Sequence, residues 1–198
     1  MVDYRVRMWN PKTSAVFFTV KERYGGLSNM SNEFSLDVCK ERVRSSEALY
    51  QAMKFPHLPD VQRVIVDQKS PMSAKMMAKP HRLEIRSDWE EVKVDIMWWV
   101  LRVKLRQNAL MFAKALEETT HLDIVEKSSK DRFWGALNAS ENGLPMLEGA
   151  NVLGQLLMKL RADLRSRPAA EMNVVPAPTF PGALLYEKPI GEIRKREV

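Results

Sequence analysis

The sequence predicts a mainly helical α+β fold with a few short strands, in a single domain. Apolar residues recur at helical spacing in several segments, whereas the β-branched and aromatic runs are short. Serine and proline signals that begin or end helices separate these segments. The chain has 198 residues, 45% of them hydrophobic and 28% charged, so its composition is that of an ordinary globular protein with a real core.

Short strands are predicted at three places. Residues 15–20 form a β-branched and aromatic run that ends before the paired glycines Gly25 and Gly26. Residues 34–39 alternate apolar and polar side chains, which is the period of a half-buried strand. A third short strand is predicted at residues 122–125.

Helices account for most of the remaining chain. The first begins behind Ser45 or Ser46, either of which can cap it, and Pro56 stops it. The sequence Ser87-Asp88-Trp89-Glu90 has the form of a capping box at the start of the longest helix. The predicted helices cover, in order, residues 46–55, 59–69, 71–79, 88–107, 110–117 and 152–164.

The character of the chain changes after Arg167, where prolines punctuate a stretch with little periodicity. We therefore expect residues 1–166 to form the domain and residues 167–198 to form a proline-rich C-terminal extension. This extension either lies on the domain or is loosely attached to it.

The composition disfavours several classes of protein. No apolar run approaches the roughly 18–20 residues that span a bilayer, and the N-terminus lacks the apolar stretch of a signal peptide. Cys39 is the only cysteine, and His57, His81 and His121 have no ligand spacing. We therefore expect no disulfide within the chain, no metal and no cofactor, and we expect a cytoplasmic protein without a membrane partner.

The overall charge is compatible with an anionic partner. The net charge is +6 and the sequence pI is near 9.5. Attraction to phosphate groups would follow from this charge and would weaken with salt. A slightly basic protein with no nucleic-acid partner fits the same numbers.

A stripe of polar side chains is the most informative motif. As a helix, residues 45–55 place Glu47, Tyr50, Gln51 and Lys54 on one side, beside apolar residues. Such a stripe is either a solvated face or one wall of a polar pocket. In the pocket interpretation Glu47 is a candidate general acid or base, because the helix dipole favours its anion and burial favours its neutral form.

Three further segments contain candidate ligand contacts. The sequence Tyr24-Gly25-Gly26-Leu27-Ser28-Asn29-Met30 allows close backbone approach to a ligand and offers Asn29 to a base edge or ribose hydroxyl, although a plain turn has the same composition. In Ser129-Lys130-Asp131-Arg132-Phe133-Trp134-Gly135, Trp134 is either a stacking platform for a base or a core side chain. Asn151, before the last helix, either helps to hold a phosphate or caps the helix.

Taken in order, these segments resemble the NADAR family, also called YbiA-like, over about residues 15–165. The segments that carry the resemblance are Tyr24-Gly25-Gly26-Leu27-Ser28-Asn29-Met30, Ser46-Glu47-Ala48-Leu49-Tyr50-Gln51-Ala52-Met53-Lys54-Phe55, Ser70-Pro71-Met72-Ser73-Ala74-Lys75, Asp88-Trp89, Phe133-Trp134-Gly135 and Gly149-Ala150-Asn151-Val152-Leu153-Gly154-Gln155-Leu156-Leu157-Met158. The chain departs from the family pattern at Thr119-Thr120-His121 and at Ala136.

The resemblance implies a YbiA-like fold and an N-glycosidase that acts on ribosylated bases. One branch of the family cleaves phosphoribosylamino-pyrimidine intermediates of riboflavin synthesis. Another removes ADP-ribose from guanine in DNA, and some of its members are antitoxins to DNA-targeting ADP-ribosyltransferases. With Lys21 ahead of the Gly-Gly loop, the sequence of these segments is more similar to the DNA-directed branch. The partners implied are ADP-ribosylated DNA or free ADP-ribose, with an ADP-ribosyltransferase toxin as genetic partner.

The resemblance also implies roles for individual residues. The catalytic residues expected are Lys21, Glu47 and Asp131. The substrate-binding residues expected are Tyr24, Gly26, Ser28, Asn29, Met30, Tyr50, Lys54, Trp89, Phe133, Trp134, Gly135, Asn151 and Gly154.

Two chemical routes are open. In the first, the C1–nitrogen bond breaks directly and Glu47 or Asp131 stabilises the positive charge on the sugar. In the second, the sugar ring opens and a neutral lysine displaces the base nitrogen to form a Schiff base. Lys21 is favoured as that nucleophile, with Glu47 as proton shuttle and Lys54 as a phosphate or sugar contact.

Two readings outside catalysis remain at this point. A module that binds ADP-ribose or nucleic acid without turnover would use the same contacts. A structural protein that binds a partner would leave the polar stripe in water.

Overall fold

The computed structural model describes residues 2–166 and 173–195, and the α+β class predicted for the chain is confirmed. The helices in these ranges are α1 (Ser46–Ala52), α2 (Pro59–Val66), α3 (Pro71–Ala78), α4 (Trp89–Gln107), α5 (Ala109–Glu117) and α6 (Val152–Ser166). The strands are β1 (Arg7–Trp9), β2 (Ser14–Phe17), β3 (Leu36–Val38), β4 (Glu41–Val43), β5 (Asp123–Glu126), β6 (Leu137–Glu141), β7 (Leu144–Gly149), β8 (Val174–Val175), β9 (Leu184–Leu185), β10 (Lys188–Pro189) and β11 (Ile193–Arg194).

The described chain divides into two compact units. The first unit contains residues 2–28 and 111–166, and the second contains residues 29–110 and 173–195. The predicted boundary between residues 166 and 167 falls where the chain passes from the first unit to the second, and its status as a domain boundary stays a prediction.

The first unit is built on two small sheets. An antiparallel sheet has the strand order β1-β7-β6, and β2 pairs in parallel with β5, against which α6 packs. The core includes Trp9, Val125, Ala136 and Leu147, and the Trp9 indole N–H donates to the Gly149 carbonyl at 2.9 Å. This buried donor is therefore satisfied by the strand that pairs with its own.

The second unit packs its helices around α1. The contacts of α1 are with α2, α3 and α4, and α4 also lies against β3, β8 and β11. The hairpin of β3 and β4 turns at Cys39 and Lys40, whose φ angles of 54° and 66° are those of a tight hairpin turn. Every residue of α1 is buried, so the helix forms the centre of this unit.

Residues 173–195 pack onto α2 and α4. The Trp99 indole N–H donates to the Pro176 carbonyl at 3.3 Å, and the Phe180 ring meets Trp99 edge-on at 6.3 Å. The buried Gln62 amide donates to the Leu184 carbonyl at 2.9 Å. Of the two arrangements expected for the C-terminal extension, these described residues adopt the one that lies on folded structure.

Several element boundaries differ from prediction. The strand expected at residues 15–20 ends at Phe17, because the next residues turn and the Glu22 carboxylate accepts a hydrogen bond from the Phe18 N–H. The capping box predicted at Ser87 is wrong, since α4 begins after Asp88 without a side-chain cap. The first helix is capped by Ser45, whose hydroxyl accepts from the Ala48 N–H at 3.1 Å.

No helix in the described ranges combines the length and the apolar composition that crossing a bilayer requires.

Candidate active site

The carboxylate of Glu47 lies buried in the first turn of α1. Its side chain is 8% exposed, its Oε1 accepts a hydrogen bond from Gln51 Nε2 at 2.8 Å, and Lys75 Nζ of α3 lies 3.9 Å from the same oxygen. The Glu47 backbone N–H donates to the Asn29 carbonyl at 3.3 Å. The interpretation of the stripe as a solvated face is therefore wrong for Glu47, Tyr50 and Gln51, which are all buried.

The amine of Lys54 lies in an aromatic corner of the same unit. The helix ends at Ala52, so Lys54 stands in the following turn and not on the helical stripe that the spacing predicted. Its Nζ is 5.1 Å from the centre of the Trp89 ring and 5.9 Å from that of Tyr50. The two rings are themselves 5.1 Å apart and tilted by 54°.

Burial lowers the pKa of Lys54 below its ordinary value of 10.5, and the positive charge of Lys75 adds to that effect. The negative charges of Glu47 and Glu90 act in the opposite direction and do not restore it. A larger fraction of this amine is therefore neutral near pH 7 than of an ordinary lysine. Schiff-base chemistry requires a lysine amine in its neutral form.

Two other polar side chains are buried near the start of α1. Asn29 is 4% exposed and Ser46 is 0% exposed. The Asn29 Oδ1 and the Ser46 Oγ make no hydrogen bond to any atom of residues 2–166 and 173–195, while Asn29 Nδ2 lies 3.0 Å from the Met97 sulfur. Unsatisfied buried oxygens are uncommon in protein interiors. Packing alone does not explain these two, so the region near the start of α1 is a candidate for contact with a polar ligand. Met30, predicted with Asn29, is half-buried.

The Gly-Gly loop belongs to the first unit. Gly25 begins a short 3-10 turn, and a Cβ at this position would lie 2.4 Å from the Val20 carbonyl oxygen, so only glycine fits. Tyr24 is half-buried, and the Arg23 guanidinium lies 5.0 Å from the centre of the Tyr24 ring. Lys21 is exposed. Gly26 is half-buried and Ser28 is buried.

The loop that carries Trp134 is organised by Asp131. The Asp131 Oδ1 accepts from the backbone N–H groups of Phe133 and Trp134 at 2.9 and 2.8 Å. Trp134 is half-buried, and its ring meets Phe133 edge-on at 5.1 Å. A Cβ on Gly135 would lie 2.6 Å from the Glu126 carbonyl. The contacts of Asp131 give it a structural task, and its catalytic role stays a prediction.

Asn151 and Gly154 join α6 to β5. The fully buried Asn151 accepts from the Glu126 N–H at 3.0 Å and donates to the Ile124 carbonyl at 2.8 Å. A Cβ on Gly154 would lie 2.1 Å from the same Ile124 oxygen. These contacts explain both residue types by packing, and the substrate contacts expected of them stay predictions.

Sequence reasoning missed two cations of the second unit. Lys75 entered the sequence analysis only as part of a segment that carries the resemblance. Its place on the short helix that begins at Ser70-Pro71 is the signal that could have identified it. Arg86 was not singled out, although the Arg-x-Asp-Trp order places a cation two residues before a carboxylate. Gln51 was recognised in the stripe but received no role, and it is the hydrogen-bond partner of Glu47.

Comparison with known proteins gives the family. The NADAR domain matches residues 16–165. The chain belongs to the NADAR family.

Relatives of this NADAR chain include proteins with two kinds of name. It is 33% identical over 151 residues to "N-glycosidase YbiA" of Shigella boydii, covering 75% of this chain and 86% of that protein. It is 29% identical over 172 residues to "Riboflavin biosynthesis protein VVA0006" of Vibrio vulnificus, covering 87% of this chain and 44% of that protein. The NMR structure of YbiA from Escherichia coli matches with a TM-score of 0.64 and 31% identity, over 77% of this chain and 85% of that one.

Proposed function

We propose that this NADAR chain is an N-glycosidase that removes ADP-ribose from guanine bases in DNA, as the antitoxin of a DNA-targeting ADP-ribosyltransferase. The observation that supports N-glycosidase chemistry is the grouping of Glu47, Lys54 and Trp89 within the second unit. It combines a buried carboxylate, an amine and an aromatic surface. Similarity to proteins named N-glycosidase YbiA supports the same reaction class.

The proposed reaction proceeds through a Schiff base. The C1–O4 bond of the ribose breaks and the ring oxygen takes a proton from solvent, which leaves C1 double-bonded to the exocyclic guanine nitrogen as an iminium that keeps its hydrogen. The neutral Lys54 amine then adds to C1. The C1–guanine bond then breaks, and guanine departs as the free amine after its nitrogen takes a proton that Glu47 carries from the lysine. Water hydrolyses the lysine–C1 imine, which releases ADP-ribose and restores the amine.

Lys54 is preferred to Lys21 as the nucleophile because of its surroundings. Lys54 has a lowered pKa and shares its unit with Glu47, whereas Lys21 is exposed on a turn of the first unit. The sequence favoured Lys21, and no observation on the fold tests that choice directly. Substituting each lysine separately does.

DNA as the carrier of the modified base is supported by charge. The net charge of +6 is compatible with a polyanionic substrate, which would be attracted through its phosphate groups. We expect release of ADP-ribose from ADP-ribosylated single-stranded DNA, slowed by added salt through a higher KM. Glu47→Gln should slow release by about 10²–10⁴-fold while leaving binding of the modified DNA in place.

Binding of ADP-ribosylated DNA by the unsubstituted protein with no release under any condition would instead identify a non-catalytic binding module. Growth rescue of cells that express a DNA-targeting ADP-ribosyltransferase tests the antitoxin role, with Glu47→Gln as the inactive control.

The second candidate is hydrolysis of phosphoribosylamino-pyrimidine intermediates of riboflavin synthesis. It is favoured by the names of two relatives, VVA0006 of Vibrio vulnificus and PYRR of Zea mays, both described as riboflavin biosynthesis proteins. Both reactions break a C1–nitrogen bond and would use the same groups. The ratio of kcat/KM for the two substrates, measured on one preparation, decides between them.

A further inference from the structure

We infer that the C-terminal segment 173–195, which lies outside the NADAR match, is part of the framework that holds the Lys54 turn, with Arg86 and Gln62 as the positioning residues. This inference rests on the proposed role of Lys54. All the residues involved belong to the second unit.

Arg86 connects the C-terminal segment to the Lys54 turn. Its guanidinium donates to the Pro181 carbonyl at 2.7 Å, and its backbone N–H donates to the Lys54 carbonyl at 2.9 Å. Its backbone carbonyl accepts from the Trp89 N–H at 3.2 Å. One residue therefore contacts the segment, the lysine and the residue whose ring faces the lysine.

The side chain of Arg86 is fixed in this position. It is 8% exposed, and its Nε and Nη2 donate to the two carboxylate oxygens of Asp88 at 2.5 and 2.7 Å. A forked pair of this kind sets the orientation of a guanidinium as well as neutralising it. Nη2 also donates to the Pro181 carbonyl, so the C-terminal segment supplies one of the three acceptors of this buried cation, whose Nη1 has no hydrogen-bond partner among the described residues.

Gln62 forms a second connection, at the other side of the same turn. Its amide nitrogen donates to the carbonyls of Ala52, the last residue of α1, and Leu184, at 3.2 and 2.9 Å. Its amide oxygen accepts from the Tyr186 N–H at 2.8 Å. Gln62 is 0% exposed. The C-terminal segment is thus linked to residue 52 through Gln62 and to residue 54 through Arg86.

The segment is itself anchored by apolar packing. Phe180 is 7% exposed and packs edge-on against Trp99, and Val175 and Leu185 are buried. This packing places the Pro181 and Leu184 carbonyls where Arg86 and Gln62 reach them. Loosening the segment should therefore increase the freedom and hydration of the Lys54 turn.

A hydrated Lys54 would titrate nearer to its ordinary value, because desolvation is the largest cause of its lowered pKa. Each unit of increase reduces the neutral fraction about tenfold below the pKa. We therefore expect the pH–rate profile to shift to higher pH when the segment is loosened, and kcat near pH 7 to fall by up to about tenfold with little change in KM.

The test follows Lys54 directly by NMR titration of lysine-labelled protein, with the resonance assigned through Lys54→Arg. Arg86→Lys keeps the charge but removes the fork, Gln62→Met keeps the volume but removes three hydrogen bonds, and Phe180→Ala loosens the anchor. Thr179→Ala, at an exposed neighbour of Phe180, is the matched control.

We expect the first three variants to raise the pKa of Lys54 and the control to leave it unchanged. A lower melting temperature with an unchanged Lys54 titration in those three variants would overturn the inference and leave only a stabilising role for the segment. The titration needs no turnover, so it stands apart from the proposed function. If the unsubstituted protein neither releases ADP-ribose nor forms a covalent adduct with it, that result contradicts the proposed function alone. If Phe180→Ala does not fold, Arg86→Lys and Gln62→Met decide the outcome.

Discussion

The two units use their polar side chains in different ways. In the second, Glu47, Gln51 and Lys54 face one another or aromatic rings, and Ser46 and Asn29 have buried oxygens with no hydrogen-bond partner among the described residues. In the first, Asp131 and Asn151 bond to backbone groups of their own unit and hold a loop and a helix in place. The motifs that match the family therefore include candidates for catalysis in the second unit and residues with structural contacts in the first.

The largest effect should follow removal of the Lys54 amine. Lys54→Ala should lower the rate of base release by at least about 10³-fold, because no intermediate can form without the nucleophile. Lys21→Ala, the matched lysine of the first unit, should retain most of the activity. Single-turnover kinetics on ADP-ribosylated DNA measures the rate of both variants. Equal losses of rate would contradict the claim that Lys54, and not Lys21, is the nucleophile.

Substitution of Glu47 should have the next largest effect. Glu47→Gln keeps the shape and can still pair with Gln51, but it cannot carry a proton, so we expect kcat to fall by about 10²–10⁴-fold. The melting temperature should change little. A variant with normal kcat would show that Glu47 is a structural carboxylate, like Asp131 in the first unit.

Substitution of Asp131 should act mainly on stability. Asp131→Ala removes the acceptor of two backbone N–H groups, and we expect a loss of about 1–3 kcal/mol in the free energy of unfolding. KM should rise more than kcat falls, because the Trp134 loop loses its shape and not its reactive groups. Chemical denaturation and steady-state kinetics test this, and a kcat loss as large as that of Glu47→Gln would support the catalytic role predicted for Asp131.

The smallest expected effect on activity concerns a second buried lysine, away from the proposed chemistry. Lys104 is fully buried over the Phe34 ring at 4.8 Å, and burial lowers its pKa to about 7 from 10.5. The unfolded chain therefore holds more protons than the folded chain between these values, so stability should rise with pH from about 7 towards 10.

The slope contributed by Lys104 is at most about 1.4 kcal/mol per pH unit. Lys104→Met should flatten the dependence of the melting temperature on pH in that window. An unchanged slope in the variant would assign the dependence to other groups. Activity assays below pH 7 should separate the two lysines. Substitution of Lys54 should lower the rate, whereas Lys104→Met should not.

Helical spacing was enough to group the Glu47 site. A helix from Ser45 places Glu47 and Gln51 one turn apart, so their contact follows from that period. Their burial does not follow from it, because the same stripe also fitted a solvated face. Lys54 lies past the end of the helix, since the chain turns at Met53. Periodicity cannot predict such a turn. Lys54 does lie beside Tyr50, as the stripe predicted, but it stands in a turn and not on the helix.

Other features depend on pairings between distant parts of the chain. Strands β6 and β7 carry mixed polar residues, yet Asn142-Gly143 between them is a strong hairpin signal that could have revealed them. The contact of Arg86 with Pro181 joins residues 95 positions apart. No local pattern encodes that contact, which is why the C-terminal segment seemed from sequence only irregular.

The most direct test of the central claim is to trap the intermediate. Borohydride added during turnover of ADP-ribosylated DNA reduces a Schiff base to a stable amine, and peptide mass spectrometry then locates the ADP-ribose. The expected result is a single modified peptide that carries the adduct on Lys54. An adduct on Lys21, or full turnover with no adduct at any lysine, would contradict the assignment.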